Sequence, residues 1–137
     1  MNINSNMRNS MKVPKNKLIY LASLYSLDST PEIRQKRYEE VQELAAQMIK
    51  DGYITFSPIT YNHPMAVKYS FPPGWTFWKP IDTCYLKKCD YMLIMIDKYN
   101  LWYRSEGIMA EIKIAKRLKK KIGYVRYESG RYWFEKF

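Results

Sequence analysis

Six consecutive apolar residues, Tyr91 to Ile96, place the tightest limit on what this chain can fold into. A strand with one solvated face alternates apolar and polar side chains. A run without alternation is covered on both faces, which is the setting of a central parallel strand. Parallel neighbours need crossover connections, usually helices, and the flanking sequence supplies them. Lys17 to Ser23 reads as a first buried strand. Thr30 and Pro31 mark a helix start, with threonine as cap and proline in the first turn. Ile33, Val41, Leu44, Ala45, Met48 and Ile49 then trace an apolar stripe. Gly52 ends that helix, and Tyr53 to Phe56 is a short second strand. After the central run, a helix from Ser105 to about Lys120 leads into a fourth strand, Lys121 to Arg126. Alternating strands and helices predict an α/β fold: a doubly wound, mostly parallel Rossmann- or flavodoxin-like sheet with helices on both faces. Its site is expected at the strand ends.

The remaining segments are less regular. Residues 57–74 carry Pro58, Pro64, Pro72 and Pro73 and read as a long binding loop. Trp75 to Lys88 reads as a helix broken at Pro80. The tail, Arg131 to Phe137, is aromatic and basic and reads as an edge strand or an oligomer contact. Residues 1–16 are polar and read as a disordered tail, leaving 17–137 as a single domain. No GxGxxG follows the first strand and no GxxxxGK[ST] occurs, so dinucleotide and P-loop readings have no support.

The net charge of +10 leaves three readings: an anionic ligand, nucleic acid, or a solvated basic surface without a partner. Cys84 and Cys89 with the single His63 make no metal-ligand set, so neither a metal nor a cofactor is expected. Both thiols read as buried or half-buried in a reducing compartment. No window of about 18 apolar residues suggests a membrane span, and the N-terminus lacks the apolar stretch of a signal peptide. The expected location is cytoplasmic.

The chemistry-bearing segment is Ser105 to Glu111. A serine and a glycine, Ser105 and Gly107, at a helix start can present a hydroxyl and backbone N–H groups to an anion. Glu111 lies three residues after Ile108 and four before Ala115, which puts its carboxylate on the face that packs against the sheet. It is either a half-buried catalytic group or an exposed charge that favours the helix dipole. Asp82 follows Pro80 near a strand end and is a second candidate. Asp90 reads as a turn residue.

Four pieces of this sequence together resemble the nucleoside 2-deoxyribosyltransferase-like superfamily, which includes the 2′-deoxynucleoside 5′-phosphate N-hydrolases. They are Ile19 to Ser23; Gly52 through Phe56-Ser57-Pro58; Asp82-x-x-x-Leu86-x-x-Cys89-Asp90 before an apolar strand; and Ser105-x-Gly107-x-x-x-Glu111. The likeness spans residues 18–125 and looks closest to a phage and bacterial branch with a Phe56-Ser57-Pro58 to His63-Pro64 loop and tryptophans at 75 and 78. In a phage-encoded protein the compartment would be the host cytoplasm. The resemblance implies that Glu111 is a nucleophile attacking C1′ and that Asp82 assists the departing base. It also implies that Tyr20 orients the nucleophile and that Ser105 binds a 5′-phosphate. A carboxylate beneath the sugar and an acid at the leaving group is the logic of retaining glycosidases. Apolar flanks would raise the pKa of Glu111 and the helix N-terminus would lower it, and the second effect is expected to win at neutral pH. The glycine-rich turn of the phosphohydrolases is missing after strand one, where Ser23 and Ser26 are the available donors.

The expected function is thus cleavage or exchange of the N-glycosidic bond of a (deoxy)nucleoside or its 5′-monophosphate, by a homodimer or higher homo-oligomer. Further substrate contacts are expected from Ser57, from His63 as a contact or proton shuttle, and from Trp102 as the best base-stacking candidate; Arg104 neighbours the anion turn. The rival classes are a catalytically silent protein that binds or sequesters a nucleotide, and a basic nucleic-acid-binding module using the run Arg117 to Lys121. Cleavage of a larger N-glycoside is a third alternative.

Overall fold

The unalternating run lies at the centre of a five-stranded sheet in the computed structural model, which describes residues 9–137. β3 (Tyr91–Met95) is buried along its whole length. It runs parallel to β1 (Leu18–Ala22) on one side and to β4 (Lys121–Glu128) on the other. β2 (Ile54–Phe56) pairs parallel outside β1, and β5 (Arg131–Lys136) pairs antiparallel outside β4. The order β2-β1-β3-β4-β5 is that of the flavodoxin-like doubly wound sheet. The chain winds one way from β1 to β2 and the other way from β3 to β4. The carboxyl ends of β1 and β3 therefore bound a crevice at the switch point.

Side-chain alternation in β1 assigns the two faces. Ile19 and Leu21 pack with Val41, Leu44 and Met48 of α1 (Pro31–Lys50). Tyr20 and Ala22 point to the opposite face. There they meet Leu86 of α3 (Trp75–Lys88) and Ile108, Ile112 and Ala115 of α4 (Glu106–Arg117). Each buried Leu or Ile contributes about 1.5–3 kcal/mol by removal from water. Both layers therefore anchor β1, and the residue after each anchor is fixed by the pleat. Asp90 ties the strand starts together, accepting from Leu18 N at 2.9 Å while its own N–H donates to Leu18 O.

Several expectations need correction. Residues 57–74 are not a loop: α2 (Pro58–Tyr69) occupies most of them, and only Ser70 to Gly74 connects it to α3. Ser57 accepts from Thr60 N and Pro58 takes the first turn, the same start signal as Thr30 and Pro31. Pro64 sits inside this helix, where it withholds one amide hydrogen without ending it. α3 likewise runs through Pro80 without a break. The tail is an edge strand, because Ser129 and Gly130 both take positive φ and close a two-residue hairpin from β4 to β5.

The expected disorder of residues 1–16 fails where the structure describes them. Met11 N donates to Phe134 O at 3.0 Å, Ser10 forms an antiparallel bridge to Glu135, and Val13 is buried in the core. Residues 1–8 lie outside the described residues. Cys89 is buried as expected, but Cys84 is exposed on α3. Among the described residues no helix is long and apolar enough to cross a membrane.

Candidate active site

Tyr20 is the residue of β1 that faces α3 and α4. Its ring is wholly buried, and its hydroxyl donates to Glu111 Oε2 across the layer. Glu111 sits on the inner face of α4 between Ile108, Ile112 and Ala115, only 5 % exposed. Its carboxylate lines a narrow cleft of about 50 Å³ at the switch-point crevice. Asp82 of α3 enters the same cleft, also buried, with Oδ1 accepting from Asn62 Nδ2 of α2 at 2.9 Å. Ser23 and Ser26, after β1, form another wall, and Ser105 and Gly107 at the start of α4 complete it.

Burial dominates the electrostatics. It pushes the Glu111 carboxyl up to about 8. The Tyr20 hydroxyl pulls it down and the nearby Asp82 pushes it up by smaller amounts. Asp82 is pushed up to about 6 by burial, against the hydrogen bond from Asn62. The Tyr20 hydroxyl is raised well above its ordinary value by burial and then by Glu111, so it holds its proton and donates. The expectation that the helix N-terminus would keep Glu111 ionised is therefore corrected: burial outweighs it. Glu111 lies one and a half turns into α4, where the dipole has faded, and among the described residues no cation lines the cleft to balance it.

The structure brings Tyr20, Asp82, Glu111, Ser23, Ser105 and Gly107 together. Ser105 caps α4, its Oγ accepting from Ile108 N at 3.2 Å; its hydroxyl hydrogen is still available to a ligand. A methyl at position 107 would touch Trp75 at an ordinary 3.6 Å, so the fold itself does not demand a glycine there. Ser23 Oγ and Asn62 Oδ1 are buried with no hydrogen-bond partner among the described residues. Buried polar atoms are rarely left so, and both line the cleft.

Three expected contacts lie elsewhere. Trp102 packs on Tyr124 and donates to Asn100 Oδ1. The Asp97 carboxylate, which accepts from the Leu101 and Trp102 amides, holds its loop there. Ser57 is buried and spends its hydroxyl oxygen on the α2 cap. His63 is buried behind Tyr25, with Nδ1 2.6 Å from the Tyr25 hydroxyl and Nε2 2.7 Å from Gln35 Oε1. Arg104 pairs with Asp28 on the surface. In place of Trp102, the cleft takes Trp75 and Trp78 as aromatic walls. Asn62 and Tyr25 were missed. Asn62 and Ala66 are four apart on one face of α2, a spacing that becomes meaningful once that segment is a helix.

The fold and cleft define a doubly wound α/β domain with two buried carboxylates at its switch point. The chain belongs to a family described as a domain of unknown function (DUF1937), which it matches over residues 17–127. No curated protein matches it.

Proposed function

We propose that this protein cleaves or exchanges the N-glycosidic bond of a nucleoside or nucleotide through Glu111. The observation that carries the reading is that Glu111 and Asp82, from separate helices, line one cleft while the Tyr20 hydroxyl of β1 donates to Glu111. Breaking a C1′–N bond builds positive charge on the sugar. A carboxylate held by a tyrosine hydroxyl can capture it, and a protonated acid opposite can donate to the leaving base.

Glu111 attacks C1′, the bonding pair leaves with the base nitrogen, and the Asp82 proton follows that pair. Water or a second base then attacks C1′ and releases Glu111. The two carboxyls titrate as a pair, with values of about 6 and 8. Between those values the pair holds one proton, which rests mainly on Glu111. Positive charge developing on the sugar draws Glu111 to its ionised form and leaves the proton to Asp82.

The test is a chromatographic screen of nucleosides and 5′-monophosphates, ribo and deoxy, with and without a second free base. Free base that disappears with Glu111→Ala supports the reading; full activity in that variant sinks it. Exchange only with a second base makes the protein a transferase. A second reading, binding without turnover, is favoured by the proton that Glu111 retains at neutral pH. It predicts ligand-induced melting shifts that survive Glu111→Gln, and no released base.

A further inference from the structure

Among the described residues no cation lines the cleft. Two carboxyls and neutral donors line it, so an anionic group placed among them meets like charge. A second cavity of about 300 Å³ lies beside it, and Tyr25, Ala66 and Pro73 face both. This neighbour contains Arg34, from the first turns of α1. The Arg34 guanidinium is half-buried and donates to Ser29 Oγ at 2.9 Å. It belongs to neither of the ion pairs found among the described residues, Arg104–Asp28 and Arg126–Glu135. An arginine with only hydroxyl partners at a cavity wall keeps most of its donors available for a planar, bidentate oxyanion.

Among the described residues, the groups that share this cavity with Arg34 include no carboxylate. Gln35 Nε2 donates to Glu39 at 3.0 Å, which turns Gln35 Oε1 towards His63. His63 Nε2 then carries the hydrogen, and Nδ1 accepts from the Tyr25 hydroxyl. Tyr38 stacks on the imidazole with ring centroids 4.4 Å apart. His63 is thus held neutral: burial and then Arg34 lower its pKa, against the smaller opposing effect of Glu39. Arg37 holds the Tyr25 and Leu27 carbonyls, fixing the turn that carries the shared Tyr25.

We propose that the Arg34 cavity is an anion subsite that receives the phosphate-type group of the N-glycoside whose scissile bond lies at Glu111. This rests on the function proposed above and narrows its substrate to nucleotides whose phosphate reaches past Tyr25. The connector Ser70 to Gly74 supplies walls to both cavities, with Pro73 common to the two. The cleft alone, at about 50 Å³, is far below the roughly 300–1,000 Å³ of pockets that take a small-molecule ligand. Displacing this connector would join the two spaces for a ligand of nucleotide size.

The test compares kcat/KM for a nucleoside, its 5′-monophosphate and its 5′-diphosphate in the wild type, Arg34→Gln and Arg34→Lys. The wild type is expected to prefer a phosphorylated substrate, and Arg34→Gln to lower that preference about 10- to 100-fold, the usual worth of a charged hydrogen bond. Arg34→Lys should keep part of it. No wild-type preference, or an unchanged preference in Arg34→Gln, overturns the subsite and leaves the glycosidase reading intact. If no substrate is cleaved, that reading fails and the subsite is judged by inorganic phosphate and pyrophosphate alone. His63 is the only histidine, so its imidazole resonances report on this cavity without ambiguity. Shifts in the wild type that vanish in Arg34→Gln support the subsite; absent or equal shifts in both overturn it.

Discussion

Glu111→Gln should make the protein more stable, by an amount that grows with pH. The carboxyl is raised from the ordinary 4.5 to about 8. Between those values the native state binds a proton that the unfolded chain does not, so stability falls as pH rises through the window. At 1.36 kcal/mol per pH unit, the penalty is about 1 kcal/mol at pH 5. It reaches about 3 kcal/mol at pH 7 and approaches about 5 kcal/mol above pH 8. Glutamine keeps the shape and an oxygen to accept from Tyr20, but carries no charge to desolvate. Asp82 contributes a slope of the same sign in both proteins, and the comparison largely removes it. For a domain of this size, about 3 kcal/mol corresponds to roughly 10 °C in Tm. Thermal and urea melts of the two proteins from pH 5 to pH 8.5 measure the difference directly. The curves should differ by only about 1 kcal/mol at pH 5 and diverge steadily above it. A constant offset across the range, or a variant less stable at pH 8.5, would refute the claim that Glu111 is buried without a compensating cation.

The remaining expectations are briefer. With a substrate in hand, kcat/KM should follow a bell with limbs near 6 and 8 and a maximum near pH 7, since both carboxyls protonated or both ionised stops the reaction; a flat profile from pH 5 to 9 argues against the pair. Asp82→Asn should flatten one limb and slow the poorest leaving bases most, whereas equal slowing of all bases would remove Asp82 as the acid. Ser105→Ala removes the cap on Ile108 N and should cost about 1 kcal/mol in urea unfolding, with an unchanged midpoint contradicting the cap. Gly123→Ala would place a methyl 2.5 Å from Met11 Sδ and 3.0 Å from Glu135 O. It should destabilise by about 1–3 kcal/mol, and less if Met11 is also made smaller.

The strand assignments were legible because burial on both faces writes an unmistakable pattern. Tyr91 to Met95 has no polar residue, and the structure buries all five. Glu111 was legible as an inward carboxylate from its spacing to Ile108 and Ala115. Its protonation was not, since the sign depends on how much water and charge the tertiary fold leaves nearby. α2 was lost because four prolines were weighed as breakers, although Ser57 and Pro58 repeat the start signal of Thr30 and Pro31. With α2 hidden, Asn62 had no helical face on which to stand, and its bond to Asp82 could not be anticipated. Trp102 was favoured for its nearness to Ser105 in sequence, but Asp97 gathers the amides of the intervening loop and turns the indole onto Tyr124.

The contact of Met11 and Ser10 with β5 has a consequence for self-association. β5 ends the sheet, and an outermost strand offers unsatisfied amides and carbonyls to any other extended chain. Here the residues ahead of β1 occupy part of that edge, with Met11 N on Phe134 O and Ser10 opposite Glu135. The segment read from composition as a disordered tail thus covers the Phe134–Glu135 end of that edge. Removing residues through Lys12 should uncover that end of β5, so the shortened protein is expected to lose solubility as its concentration rises, and unchanged solubility would speak against a protective role for Ser10 and Met11.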